Sequence, residues 1–291
     1  MVILETVKDM QAHAERARLD GRRLCLVPTM GALHAGHMRL VEEAKDRGDH
    51  VTVSIFVNPT QFGPGEDFDR YPRPLDKDIT LLDRAGGVDV VFVPSVEEMY
   101  PGATEQDAPR VWVDVEGLDR HLLGPLRPGH FRGVTTVVAK LFLACKPHVA
   151  VFGLKDAQQF VIVRRMVEDL HFDIELVGVP TVREADGLAL SSRNVYLSET
   201  EREQAVALSM AVTAAERLVR AGEQRVAPLV EAMRQMLTQA VDGHIDYADV
   251  VDARSLRPVD TLEPGQEILV AVAMSFGKTR LIDSAFVQVP A

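Results

Sequence analysis

The feature that most constrains this chain is the alternation, over residues 23–179, of short Val- and Ile-rich runs with longer segments of helical period. The runs at 23–27, 51–57, 89–93, 148–152 and 174–179 are mostly apolar, as strands buried on both faces of a sheet require. Between them, 37–46, 75–85, 135–144 and 157–170 read as helices, and Gly48, Gly86, Gly87 and Pro94 stand where elements should stop. Strand, helix, strand in regular order feeds a parallel sheet. The expected class is therefore α/β, with a Rossmann-like parallel-sheet domain over residues 1–181. A polar stretch at 182–194 follows, then two amphipathic helices at 199–222 and 226–240, then alternating runs at 245–251, 267–273 and 280–287. These predict a smaller C-terminal α+β domain over residues 182–291.

Composition removes several classes of function. The longest apolar stretches, such as 268–276, are far shorter than the roughly 20 residues of a membrane helix. Glu5, Lys8 and Asp9 interrupt any apolar signal core at the N-terminus. Only Cys25 and Cys145 occur, each among apolar neighbours, which reads as reduced core residues of a cytoplasmic protein. A net charge of −11 argues against binding nucleic acid or an acidic membrane, while a local Lys/Arg cluster could still hold one phosphate chain.

Three segments carry the chemistry. Residues 27–37, Val-Pro-Thr-Met-Gly-Ala-Leu-His-Ala-Gly-His, leave the first strand and enter a helix. The N–H groups at a helix start and its partial positive charge suit phosphate, so this stretch reads as a phosphate cradle. His34 and His37 share one face of that helix, where an imidazole could donate a proton to a leaving pyrophosphate. By base rate such a pair is ordinary surface polarity; its place after a strand argues for more. Zinc is disfavoured, because the metalloprotease pattern needs i, i+4 histidines with an intervening Glu.

Residues 151–159 repeat the arrangement at another strand end, offering Lys155 to phosphate, Asp156 to ribose hydroxyls and Gln159 as a donor and acceptor. Helix capping is the plain alternative. Residues 190–194, Leu-Ser-Ser-Arg-Asn, place two hydroxyls and a guanidinium at the proposed domain junction, where a turn and cap would look the same. Asn58 and Gln61 after the second strand, and Arg127 and His130 around a Pro-Gly turn, name no ligand by themselves. Residues 62–73, rich in Gly, Pro and acidic residues, suggest a mobile lid.

Taken together, PTMGALHAGH at 28–37, FVNPTQFGPGEDFDRYPR at 56–73, PSVEEMYP at 94–101, RPGHFRGVTTVVAKLF at 127–142, FGLKDAQQ at 152–159 and DGLALSSRN at 186–194 resemble the pantoate-β-alanine ligase family. This is a branch of the nucleotidyltransferases with an H-x-G-H signature. The resemblance implies ATP-dependent joining of pantoate to β-alanine through a pantoyl adenylate, with Mg²⁺ on the polyphosphate, in a homodimer. It implies that Met30 to His37, Gly153 to Asp156, Val182 and Leu190 to Arg193 bind ATP, with Ser191 and Ser192 on phosphate. His34, His37, Lys155 and Arg193 would be catalytic. Gln61 and Gln159 would hold pantoate, with Asn58, Arg127 and His130 in the same substrate region.

Three positions depart from the family pattern: Leu123 where a Glu is usual, Ala157 where an aromatic is usual, and Ala35 where an acidic residue is usual. Two other readings stand beside the ligase. One is an H-x-G-H enzyme that stops after nucleotide transfer; the other is a non-catalytic ATP-binding sensor.

Overall fold

The computed structural model describes residues 1–102 and 111–291, which divide into two compact units. The first comprises Met1–Glu116, Arg127–Gly153 and Ile162–Val179; the second comprises Gly117–Leu126, Leu154–Val161 and Pro180–Ala291.

In chain order the elements begin with β1 (Val2–Leu4), α1 (Val7–Leu19), β2 (Leu24–Thr29), α2 (Ala35–Arg47), β3 (His50–Ile55), α3 (Leu75–Ala85), β4 (Val90–Phe92) and α4 (Val96–Met99). They continue with α5 (His130–Cys145), β5 (Val149–Gly153), α6 (Ala157–Asp169) and β6 (Glu175–Val179). The six strands form one wholly parallel sheet in the order β1-β4-β3-β2-β5-β6. The five expected strands all form, within a residue or two of their expected ends. On one face Val27, Val53, Val91, Val151 and Val179 pack with Leu40, Val41 and Leu82 of the helices, which is why these strands read as nearly continuous apolar runs.

The sheet order places a topological switch between β2 and β5, so ligand-binding loops are expected at the carboxyl ends of these two strands. Pro28 sits near the end of β2, beyond Cys25 and Leu26, the residues at which β2 pairs with β5. The Leu24 carbonyl accepts from His148 N at the start of β5, so by the two-residue period Pro28 also faces that side, past the end of the ladder, where a missing N–H is tolerated.

The sequence reading missed β1 and α1. Helix α1 buries only a thin stripe of Met10, Ala14 and Ala17, too weak an apolar period to stand out. Its start is nonetheless capped, Thr6 Oγ1 accepting from Asp9 N at 3.1 Å. Cys25 and Cys145 are buried free thiols, as expected.

The second unit adds α7 (Glu199–Gln204), α8 (Ala207–Arg220), α9 (Val226–Leu237), β7 (Gly243–Asp252), β8 (Glu267–Phe276) and β9 (Thr279–Gln288). The strands form an antiparallel sheet in the order β7-β8-β9. Its core joins Leu208, Val212 and Val219 of α8 and Leu229 and Met233 of α9 to Ile268, Val270, Val272 and Met274 of β8. The single helix expected over 199–222 is two. Leu208 N bonds back three residues to the Ala205 carbonyl, tightening the chain where Ala205 is fully buried. Among the described residues, no helix is long and apolar enough to cross a membrane.

Candidate active site

The turn after β2 is built by residues that satisfy one another. Gly31 and Ala32 both have positive φ, 80° and 50°. The Gly31 N–H bonds to Thr29 Oγ1 at 3.2 Å, and the Ala32 and Leu33 N–H groups bond to the two oxygens of Asp78, each at 2.8 Å. His34 then caps α2: its Nδ1 accepts from Gly36 N at 3.1 Å, while His37 Nδ1 accepts from His34 N at 3.3 Å. This is a reciprocal capping box made by two histidines, with ring centroids 4.1 Å apart.

Two conclusions follow. A phosphate cradle made of unpaired backbone N–H groups is not what the turn presents, because the donors of residues 31–34 and 36 are already committed inside the protein. Since Nδ1 accepts in both rings, each neutral imidazole carries its proton on Nε2, at the opposite edge. Two Nε2–H groups therefore stand at this helix start, with the helix dipole behind them.

Beside this turn lies a buried polar network. Asn58 is fully buried; its Nδ2 donates to Gln61 Oε1 at 3.0 Å and to the Gly133 carbonyl at 3.1 Å. Its Oδ1 accepts from Tyr100 OH at 2.8 Å and Thr60 Oγ1 at 2.9 Å. Gln61 in turn donates through Nε2 to Met30 Sδ at 3.1 Å, which links the network to the His34 turn.

Arg127 forks onto Glu66 and also donates to the Gln61 carbonyl at 3.1 Å. His130 Nε2 lies 3.1 Å from Arg127 Nη1 and Nδ1 lies 2.8 Å from the same Gln61 carbonyl. Because guanidinium can only donate, His130 accepts at Nε2 and donates at Nδ1. Burial alone would raise the Glu66 pKa, but the Arg127 hydrogen bond and charge outweigh it and hold the carboxyl below its usual range.

Asn58, Arg127 and His130, expected beside substrate, are thus committed to protein partners that fix Gln61 from both its side chain and its backbone. The segment expected to be a lid, 62–73, packs on its own aromatics: Phe62 meets Phe68 and Tyr71 edge-on, and Arg73 lies over Phe68.

Gly153 ends β5, and the residues that follow it open the second group, all within the second unit. Ser284 Oγ donates to the Leu154 and Lys155 carbonyls at 3.4 and 3.3 Å, fixing the turn that carries Lys155. Lys155 Nζ is 4.0 Å from Asp156 Oδ1, and Asp156 is exposed. Gln159 is half-buried in the first turn of α6. Residues 182–190 form a small hairpin, Leu190 N bonding to the Val182 carbonyl and Glu184 N to the Leu188 carbonyl. It is anchored by Arg183 on buried Asp283 and by Arg202 on Glu184 and Asp186.

Ser191 caps the turn of Ser192, Arg193 and Asn194, its Oγ accepting from Arg193 N at 3.2 Å. Lys155 and Ser191 line one concavity with Asn194 and Asp283. The buried Asn194 Oδ1 has no partner among the described residues.

Several of these roles were not visible in the sequence. Asp78 reads there as one more acidic residue in a helix first turn, and Glu66 as one of a run. Gln158, next to the predicted Gln159, is buried and donates to the Leu118 and His121 carbonyls, each at 2.9 Å, while accepting from Leu123 N at 3.0 Å. It fixes the loop where the family's usual Glu is replaced, and the Leu123 side chain itself is buried.

An open parallel sheet with its switch point at β2 and β5, and an H-x-G-H turn whose histidines cap one another at the end of β2, define an α/β protein with a candidate ligand-binding turn at the switch point. Comparison with known proteins narrows this. Residues 2–286 match the family model for pantoate-beta-alanine ligase. A pantothenate synthetase of Salinibacter ruber is 63% identical, covering 100% of this chain and 99% of that protein. The crystal structure of pantothenate synthetase from Thermus thermophilus superposes with a TM-score of 0.89 at 46% identity, over 100% of both chains. That of the Francisella tularensis pantoate-beta-alanine ligase, complexed with beta-gamma ATP and beta-alanine, gives 0.76 at 32%, covering 98% and 97%. The chain belongs to the pantoate-β-alanine ligase family.

Proposed function

We propose that this chain joins pantoate to β-alanine in two steps. A pantoate carboxylate oxygen attacks the α-phosphorus of ATP, the bond to the β-phosphate oxygen breaks, and pyrophosphate leaves. The β-alanine amine then attacks the acyl carbon of pantoyl adenylate; the bond from that carbon to the phosphate oxygen breaks, the amine loses its proton to solvent, and AMP leaves. The adenylate supplies the leaving group that a bare carboxylate lacks, so the protein's work is positioning and charge stabilisation.

The observation that carries this reading is the reciprocal capping of His34 and His37, which puts a proton on each Nε2 at the end of β2. In this reading His37 and His34 meet the polyphosphate, Lys155 and Arg193 add positive charge, and Ser191 and Ser192 supply hydroxyl donors. Asp156 holds the ribose, and the backbone of Met30, Gly153, Val182 and Leu190 lines the nucleotide. Gln61 and Gln159 orient pantoate. Asn58, Arg127 and His130 serve by holding Gln61. The substrate is MgATP. Among the described residues no three His, Cys, Asp or Glu are grouped to hold a metal, and Mg²⁺ bound chiefly by phosphate oxygens and water fits that donor set. The buried, unpaired thiols suit a reducing cytoplasm, and by family resemblance the working form is a homodimer.

The test is to follow AMP and pyrophosphate from MgATP with pantoate alone, then with β-alanine added. Pantoate-dependent pyrophosphate, with AMP released in turnover only after β-alanine is added, is the expected result. A stable nucleotidylated product would instead mark an enzyme that stops at nucleotide transfer. ATP binding without either product would mark a sensor.

A further inference from the structure

Asp78 is an ionisable side chain that the reaction does not use, yet it is 2% exposed directly behind the turn assigned to ATP. A buried carboxylate beside a polyphosphate site repels the ligand and is costly to desolvate, so its presence calls for a compensating task. Both its oxygens accept backbone N–H bonds from consecutive residues of the turn, Ala32 and Leu33. The fit is close. A Cβ added at Gly31 would stand 3.0 Å from Asp78 Oδ2 and 3.0 Å from Ile55 Cγ2, at a φ of 80° that L-residues rarely adopt.

The next residue along is His34, whose backbone N–H must meet His37 Nδ1 for the paired cap to form. We propose that Asp78 is a positioning residue for the adenylation step: by gripping the Ala32 and Leu33 N–H groups it holds the turn in its left-handed conformation and sets His34 and His37 for the polyphosphate. This rests on the functional reading given above. It assigns Asp78 no contact with substrate, and it implies that an α3 side chain controls how well ATP is used.

The experiment uses Asp78→Asn in the full chain. The amide keeps the shape and one acceptor but turns a donor toward a backbone N–H. Each half-reaction is measured separately: pyrophosphate release from MgATP and pantoate, and pantothenate formation from preformed pantoyl adenylate and β-alanine. The expected result is adenylation slowed by about 10²-fold, as misplacement of a catalytic group by about an ångström can cause, with a raised KM for ATP and the second half-reaction within about twofold of wild type. Wild-type adenylation kinetics in Asp78→Asn would overturn the proposal, as would equal loss in both half-reactions, the mark of a merely structural role.

Should Asp78→Asn fail to fold, Gly31→Ala disturbs the same grip from the turn side and must show the same split; wild-type kinetics there overturn the proposal equally. Failure of the ligase reading itself is distinguishable, because wild type would then release no pantoate-dependent pyrophosphate.

Discussion

The two histidines cap one helix in the structure and meet the polyphosphate in the proposed mechanism, and this decides how they must be probed. Truncating either to alanine removes a cap, which by itself costs about 0.5–2 kcal/mol, and so confounds chemistry with folding. Asn is a strong N-cap and Gln is the usual partner at the third helical position of a capping box. His34→Asn and His37→Gln should therefore keep the urea midpoint near wild type while slowing pyrophosphate release by about 10²- to 10³-fold, the usual cost of a lost preorganised donor. A loss of activity that merely tracks a loss of stability would count against the phosphate-side role. Lys155 takes no part in a cap of this kind, so Lys155→Ala should slow single-turnover adenylation by a similar factor with little change in stability; a wild-type rate would remove it from the mechanism. The three departures from the family pattern find simple settings: Ala35 is exposed, whereas Ala157 and Leu123 are buried, so the latter two act through packing.

At the scale of elements, the approach of α5 to the turn at residues 59–61 sets the site's geometry. Gly133 permits it, since an added Cβ would lie 2.3 Å from the Thr60 carbonyl oxygen and 2.7 Å from Gln61 N, both backbone atoms that cannot step aside. Its own carbonyl accepts from Asn58. Gly133→Ala should accordingly destabilise the protein by about 1–3 kcal/mol, as overpacking does, despite the better helix propensity of alanine. It should also raise KM for pantoate, because Gln61 is displaced. Equilibrium unfolding in urea together with pantoate titration checks both, and an unchanged or improved stability would refute the packing argument. The period of the sequence found α5 over 135–144 but missed its first turn, which begins at His130 and holds Gly133, and it gave no hint of this contact: a glycine beside a Pro-Gly turn names no partner. The same limit hid β1 and α1, short or weakly apolar elements defined by the neighbours they meet.

For the whole molecule, two imidazoles contribute to the pH response below neutrality. Burial, with the nearby His13 charge and against the pull of Asp89, holds His50 below the usual histidine range. Burial, reinforced by Arg18 and Arg23, does the same to His148, whose Nδ1 accepts the Leu24 N–H at 3.0 Å. Between the depressed folded pKa values and the ordinary value of about 6.5, the unfolded chain binds more protons. Their contribution to stability is thus fully present above about pH 6.5 and declines as pH falls below it. The urea midpoint should be lower at about pH 5.5 than at about pH 7.5, and His148→Asn, which keeps an acceptor for Leu24, should flatten the slope. A midpoint that rises on acidification would contradict this account.

The sequence by itself determined the parallel α/β architecture and the smaller antiparallel sheet after it, and it singled out the strand-to-helix segments proposed to carry chemistry, because periodicity and such junctions are local properties written in consecutive residues. It could not show that the amides of the β2–α2 turn are spent on Thr29, Asp78 and the histidines themselves, or that Asn58, Arg127 and His130 face Gln61. Those facts depend on which side chains, distant along the chain, come within hydrogen-bonding reach. Only tertiary packing settles that, because a polar group is committed or left for a ligand according to the partners that burial brings to it.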